Sequence, residues 1–315
     1  METRGCKMAE LLDLKKDFDK GNIFMLHVIQ NMCEILGDQF RFIVKYDAQE
    51  VPEFDDDKLN VVFSLSKETH YAPQDLKRKD IFCIFQNYFI LDSWGHPVYN
   101  PIVYPLPLGP FVNNYNHNID IKPIPERKYD FCFIGQIPHT GTRDCFKRNL
   151  DKLIKHPTID RYKHDKFEYF VEFTDSFGSG MGQTEYLELL NDSKISLCPQ
   201  GAFSFETFRF FESLMMGSLP MLESLPKLWY YQKAPHIKTR WHELDSSISK
   251  TLNFLQSTAC RDFLYRIAEF YSNVLTPAGL SKHLCDILLL KLNNIDKHKV
   301  DCENFRKAYM DTNKL

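Results

Sequence analysis

Arg209 and Glu212 lie three residues apart inside an otherwise apolar run, Phe208-Arg209-Phe210-Phe211-Glu212-Ser213-Leu214-Met215-Met216. At about 100° per residue, Phe205, Phe208, Arg209, Glu212, Met215 and Met216 fall within one arc, so both charges share the apolar side of the helix that the run predicts. A charge left unpaired on such a face is costly, so the two must pair, reach solvent in a cleft or meet a ligand. A plain i,i+3 ion pair is the bland reading, worth roughly 0.2 to 0.5 kcal/mol on a surface. The residues upstream favour the ligand. Ile195-Ser196-Leu197-Cys198 predicts a short strand, Pro199 ends its ladder, and Gly201 lets a ligand approach the backbone. Ser204 is a suitable N-cap for a helix from Phe205 to Met216, and Gly217 stands where a left-handed C-cap belongs. A helix start facing a glycine loop offers free N–H groups and a positive dipole end to an anion.

The elements that must position these groups alternate helix and strand. Met8 to Lys16 and Ile23 to Leu36 read as helices, while Phe40 to Tyr46, Asn60 to Leu65 and Ile81 to Phe85 read as buried strands. Such runs suit a parallel sheet covered on both faces. Pro97, Pro101, Pro105, Pro107 and Pro110, followed by the polar segment Val112 to Arg127, place a domain boundary there and give a first domain over 1–118. A second α/β domain, 119–275, opens with the strand Tyr129 to Gly135. Thr142 then caps a helix whose apolar face is Phe146, Leu150, Leu153 and Ile154. A strand over Phe167 to Phe173, a helix over Thr184 to Asn191 and a strand over Leu219 to Leu222 flank the Arg209 segment. Helices over Ser246 to Leu275 and Leu280 to Asn294 follow, divided at Pro277, and 276–315 forms a helical segment expected to pack back on the first domain. Two such domains enclose a cleft lined by strand carboxyl ends.

Composition narrows the function classes. The 315 residues are 43% hydrophobic and 14% aromatic, enough for two domains each with its own core. A net charge of -3 with the signs interspersed leaves no basic footprint for nucleic acid or an anionic membrane. The nine cysteines are odd in number and scattered, some inside apolar runs such as Phe131-Cys132-Phe133, the pattern of reduced, buried thiols. No CxxC pair points to zinc. Asp55-Asp56-Asp57 precedes a strand instead of following one, so it reads as a solvated loop and not as a metal-holding D-x-D. The glycine-rich run Asp175 to Gly182 lacks the Lys-Ser/Thr of a P-loop and reads as a loop at the cleft. The start has no apolar h-region and no 18-residue apolar span occurs, so the expectation is a soluble, cytoplasmic protein without a membrane span or a metal.

From about Arg127 to Leu225 the sequence resembles the nucleotide-sugar domain of the exostosin family of glycosyltransferases. The family's strand ending in glycine and its following arginine correspond to Gly135 and Arg143. Its S-x-F-C-L-x-P-x-G run corresponds to Ser193 through Gly201, and its R-x-x-E-A-L-x-x-G-x-I-P-V run to Arg209 through Met221, with the spacing Arg-x-x-Glu-x-x-x-x-Gly-x-x-Pro kept. Gln200 replaces a commonly basic residue, Ser213 a commonly found alanine, and the family's membrane anchor is missing.

The resemblance implies a GT-B architecture: two Rossmann-like domains facing each other across a cleft, with a UDP-sugar held by the C-terminal one. It implies no obligatory metal and no cofactor beyond that donor. Arg209 would contact the diphosphate and Glu212 the ribose hydroxyls, Gly201 with Ala202, Phe203 and Ser204 would form a backbone cradle after Pro199, and Arg143 beside Gly135 would add a second positive charge. Transfer with inversion to a hydroxyl of a glycan acceptor needs a base from the first domain. Glu68 and His70 after the second strand, and Asp92 and His96 after the third, are the candidates. A GDP-sugar enzyme of fucosyltransferase type and a non-catalytic carbohydrate-binding protein are the alternatives.

Overall fold

Continuous apolar runs such as Phe40 to Lys45, Asn60 to Ser64 and Ile81 to Gln86 become strands buried on both faces. The computed structural model describes residues 10–13, 23–46, 49–54, 57–65, 73–89, 91, 96–111, 120–136, 141–155, 167–176, 180–201, 205–232 and 234–312. The chain divides into two units, one of residues 1–108, 227–230 and 276–315, the other of residues 109–226 and 231–275. Each contains a five-stranded, wholly parallel sheet, so the α/β class expected from the sequence is present in both.

In the first unit, β1 (Glu10–Asp13), β2 (Phe40–Lys45), β3 (Leu59–Ser64), β4 (Ile81–Gln86) and β5 (Val103–Pro105) lie side by side in chain order, with α1 (Ile23–Leu36) after β1 and α2 (Pro73–Lys77) after β3. Residues 10–13 correct the helix expected from Met8 to Lys16. They pair with Arg41 to Val44 as an edge strand, and sheet pairing overrides the weak local preference of a Glu-Leu-Leu-Asp run.

The second unit runs β6 (Tyr129–Gln136), α3 (Gly141–Lys155), β7 (Tyr169–Thr174), α4 (Gln183–Asn191), β8 (Ser193–Leu197), α5 (Phe208–Met215), β9 (Leu219–Leu222), α6 (Trp229–Gln232), whose first two residues count with the first unit, β10 (Ile237–Lys238), α7 (Leu244–Leu255) and α8 (Cys260–Phe270). On one face of its sheet, Phe131, Phe133, Ile195, Leu197 and Met221 pack with Phe146 and Leu150 of α3, Trp241, and Ile248 of α7. On the other, Cys132 and Ile134 pack with Leu187 and Leu190 of α4 and with Met216. The apolar face expected for α3 is the one that is buried, although the helix starts at Gly141, one residue before Thr142.

The single helix expected from Ser246 to Leu275 is two, broken at residues 256–259, and a π-helical turn over Tyr271–Leu275 closes the second. Thr276 caps the next helix, α9 (Pro277–Asn293), accepting from the Gly279 amide at 3.0 Å with Pro277 at the first helical position. A further helix, α10 (Ile295–Thr312), lies in the helical segment expected over 276–315, beyond the helix that the sequence places only as far as Asn294. Its Arg306 donates to the carbonyls of Leu76 and Ile81, both at 3.1 Å, and His298 meets the Phe82 carbonyl at 3.0 Å.

Candidate functional site

The strand order of the second sheet is β10-β9-β8-β6-β7. From β6 the chain passes first to one side, at β7, and then to the other, at β8. The two neighbours β6 and β8 therefore flank a topological switch point, where open parallel sheets form a crevice outside their carboxyl ends. The described strands of the first unit follow chain order and show no such reversal.

Gly135 and Gln136 end β6 at this point, and Pro199, Gln200 and Gly201 follow β8. Gly135 has φ +151, and a Cβ on it would fall 2.3 Å from Nη2 of Arg209. The guanidinium thus occupies the space that a side chain at residue 135 would take. It donates through Nη2 to the Ile134 carbonyl and lies 4.8 Å from the centroid of the Phe133 ring. Its Nε is buried and has no hydrogen-bond partner among the described residues. Arg143, in the first turn of α3, joins the two strand ends: Nε donates to the Gln200 carbonyl at 2.6 Å and Nη1 to the Gln136 carbonyl at 3.0 Å.

Arg209 is delivered by α5, whose limits differ from the sequence expectation. The helix starts at Phe208 and not at Phe205. Thr207 is the extended N-cap residue and makes no side-chain capping bond. Glu206 is buried against Tyr231, whose hydroxyl donates to its Oε1 at 3.3 Å, and this anchor holds the preceding backbone out of the helix. The expected C-terminus is present. Gly217 has φ +63, its amide bonds to the Leu214 carbonyl at 3.2 Å, and the Ser218 amide bonds to the Ser213 carbonyl at 2.9 Å, both bonds of a Schellman motif.

Glu212 lies one turn along α5 and is buried. Its Oε1 accepts from the Phe111 amide at 3.2 Å, and the Tyr186 hydroxyl of α4 hydrogen-bonds to the carboxylate. Burial pushes the carboxyl up to about 7, with Arg209 and these hydrogen bonds opposing the shift. Tyr186 is held well above the ordinary phenol range by burial and then by the Glu212 charge, and burial likewise raises the Cys198 thiol. Beyond β8 a recess opens between Gln200, Phe205, Thr207, Leu225 and Tyr231, with Glu223 at its wall accepting the Trp241 amide at 3.0 Å.

Of the residues singled out in the sequence, Gly135, Arg143, Pro199, Gly201 and Arg209 meet around the ends of β6 and β8, and Glu212 lies inside the same unit behind protein partners. Ala202, Phe203 and Ser204 lie outside the described residues, as do Glu68, His70 and Asp92. His96 is exposed, with its Nε2 2.8 Å from Nζ of Lys227. Phe111, Gln136 and Tyr186 carry parts of the site that sequence reasoning missed. Tyr186 reads as one more aromatic on an amphipathic helix, and only the strand end at Gly135 hinted at Gln136. Among the described residues no group of three or more His, Cys, Asp or Glu side chains is placed to hold a metal. No helix among them is long and apolar enough to cross a membrane.

The sequence matches no family profile and no curated protein. Among solved structures it is similar to an alpha-glucosyltransferase in complex with UDP-glucose and DNA containing an abasic site, at 12% identity and TM-score 0.45 over 86% of this chain and 84% of that one. It is also similar to an alpha1,3-fucosyltransferase, at 11% identity and TM-score 0.41 over 87% and 92% of the two chains. A third is the DNA-modifying enzyme beta-glucosyltransferase, at 10% identity and TM-score 0.37 over 96% and 99%. At these scores the chemistry has to be carried by the site itself.

Proposed function

We propose that this protein is a glycosyltransferase that takes a sugar from a UDP-sugar held by its second unit and attaches it to a hydroxyl of a glycan acceptor. The observation that supports this best is Arg209 resting on a glycine at the switch point, with Arg143 joining the two strand ends beside it. A fixed guanidinium at strand carboxyl ends is suited to a diphosphate. The resemblance of Gly135, Arg143 and the Ser193 to Met221 run to exostosin-family motifs agrees with that use.

In the proposed reaction the bond from the anomeric carbon to the diphosphate oxygen breaks, and its electron pair leaves with UDP. The acceptor oxygen forms the new bond on the opposite face and gives its proton to a base. Arg209 and Arg143 meet the charge that develops on the diphosphate, so the reading requires no metal. The base is proposed to come from the first unit, from Glu68, His70, Asp92 or His96.

Thermal denaturation with UDP or GDP, followed by a UDP-release assay across donors and acceptors, tests the reading. UDP at about 100 times its Kd stabilises the native state by roughly 2.7 kcal/mol, and Arg209→Ala loses most of that shift. A shift with GDP and none with UDP replaces the donor class. Binding of UDP without release from any donor leaves a binding protein in place of an enzyme.

A further inference from the structure

Parallel strands buried on both faces are ordinarily apolar throughout, yet β2, β3 and β4 each end in a polar residue at the same level of the first sheet. Lys45 is in register with Ser64, and Ser64 with Gln86. Side chains in register on parallel strands leave the same face, and two residues earlier on that face stand Ile43, Val62 and Ile84, packed with Leu76 of α2. The polar row therefore continues a core layer. It is as buried as that layer, with Lys45 and Gln86 at 0% exposure and Ser64 at 2%, and Asp75 of α2, at 3%, meets it through Lys45.

Buried polar groups at the amino ends of these strands are met by protein. Arg41 Nη1 donates to Asn60 Oδ1 at 3.3 Å, and Asn60 Nδ2 donates to the Asp80 carbonyl at 3.0 Å. At the carboxyl ends, the Ser64 hydroxyl, both amide atoms of Gln86 and Asp75 Oδ1 have no partner among the described residues. The Lys45 ammonium, with three N–H groups to give, meets Asp75 alone among them. Polar atoms buried in this way are costly enough that a cluster of them weighs against the net stability of a whole domain, and they are kept where ordered water or a ligand meets them. Open α/β sheets take ligands outside the carboxyl ends of their strands.

We propose that the carboxyl ends of β2, β3 and β4 form an internal binding site for a neutral hydroxyl group, presented by ordered water or by a sugar. The charge count selects a neutral group. Lys45 and Asp75 sum to zero whichever of them holds the proton between them, Arg78 is paired with Asp80, and Glu50, which also acts on Asp75, is exposed. A cation would meet the buried ammonium and an anion the buried carboxylate. A hydroxyl can donate to Asp75 Oδ1 or Gln86 Oε1 and accept from Gln86 Nε2 or Lys45 Nζ, so one group satisfies a donor and an acceptor together, and the Ser64 hydroxyl can serve in either sense. The site belongs to the first unit and does not depend on the donor reading of the second.

NMR of the isotope-labelled full chain reads the Gln86 side-chain amide directly, with Gln86→Glu assigning its signal. Methyl glucoside, methyl galactoside and methyl xyloside are the sugar probes. Water-to-amide NOEs at Gln86 that persist with every glycoside support the site with water as its occupant. A glycoside that removes those NOEs, shifts the amide signal, raises the melting temperature of wild type and binds about tenfold or more weakly to Ser64→Ala supports the site with a sugar as its occupant. Urea denaturation of Ser64→Ala and Gln86→Met is a readout that needs no amide signal. Both variants should be less stable than wild type where water meets the row, because each deletes a hydrogen bond that the folded state makes. A Gln86 amide with neither water NOEs nor a glycoside shift overturns the inference. Two variants more stable than wild type, with no glycoside bound by wild type, overturn it as well, since the buried groups would then meet nothing.

Discussion

Gly135 and Arg209 occupy each other's space: a Cβ at residue 135 would stand 2.3 Å from Nη2 of the arginine, and the glycine's φ of +151 is one that other residues rarely adopt. Gly135→Ala therefore has two costs, backbone strain of about 1 to 3 kcal/mol and displacement of the guanidinium from the Ile134 carbonyl and the Phe133 ring. The expected outcome is a lowered melting temperature together with UDP binding weakened by about tenfold or more. Melting curves with and without UDP read both. An alanine variant that binds UDP as wild type does would show that the guanidinium's placement on Gly135 does not set UDP affinity.

Arg209→Ala should lower turnover by about 100-fold or more if its charge meets a leaving diphosphate, as removal of a single preorganised donor does elsewhere. Arg209→Lys keeps the charge but not the planar fork that lies on Gly135, so it should recover only part of the loss. Initial rates of UDP release at saturating donor measure the ranking, wild type above lysine above alanine. Equal rates for lysine and wild type would mean that a point charge suffices.

Much of this arrangement is legible in the sequence, and the exceptions have physical reasons. The glycine ending one strand, the Arg-x-x-Glu pair and the Gly217 cap are local signals, and each is where it was expected. The start of α5 was misplaced because Glu206 is held by Tyr231, 25 residues away, a contact no local pattern carries. β1 was misread because its partner in β2 begins 31 residues downstream. Within the helical segment 276–315 the sequence places a helix only as far as Asn294, because the face that α10 buries is His298, Cys302, Phe305, Arg306 and Tyr309 at helical spacing, a stripe too polar to read as a core face. Glu212 was recognised as costly to bury, but the Phe111 amide that meets it comes from a segment about a hundred residues earlier.

Stability should fall as pH rises from about 4.5 to about 7 through Glu212. The native state holds its carboxyl near about 7, above the ordinary value of 4.5, so across that window the folded protein retains a proton that the unfolded chain has released. Above about 7 both states have lost it and the contribution levels off. Chemical denaturation of wild type and Glu212→Gln from pH 4 to 9 isolates this group. The difference between the two should change with pH inside the window and be flat above it, and parallel curves would show that Glu212 titrates normally.

Arg127 should matter to folding and not to the donor. It is buried, donates to the carbonyls of Lys122, Leu190, Ser193 and Met216, and so ties the ends of α4 and α5 to the start of β6. Burial lowers it to about 10, which leaves it charged at neutral pH. Arg127→Met fills the space but leaves those carbonyls without a donor, at a cost of about 3 kcal/mol or more. Urea denaturation should show a lower midpoint at unchanged slope, with UDP affinity at low temperature preserved. Gly217→Ala should act in the same direction, since its Cβ would stand 2.9 Å from Arg127 Nη2 at a φ of +63.

The Lys45 and Asp75 pair of the first unit is buried on both sides. Lys45 Nζ contacts Asp75 Oδ2, while Asp75 Oδ1 has no partner among the described residues and burial raises the carboxyl. Lys45 ends β2 in register with Ser64, which ends β3 and pairs in turn with Gln86 at the end of β4; the Ser64 hydroxyl and both amide atoms of Gln86 are also buried without partners among the described residues. Lys45→Met strands the aspartate and should cost about 3 to 5 kcal/mol. Lys45→Met with Asp75→Leu removes both charges and should recover most of that loss, because a desolvated pair is rarely worth more than well-packed apolar groups. A double variant as unstable as the single one would show that the pair contributes net stability through polar neighbours that an apolar pair cannot satisfy.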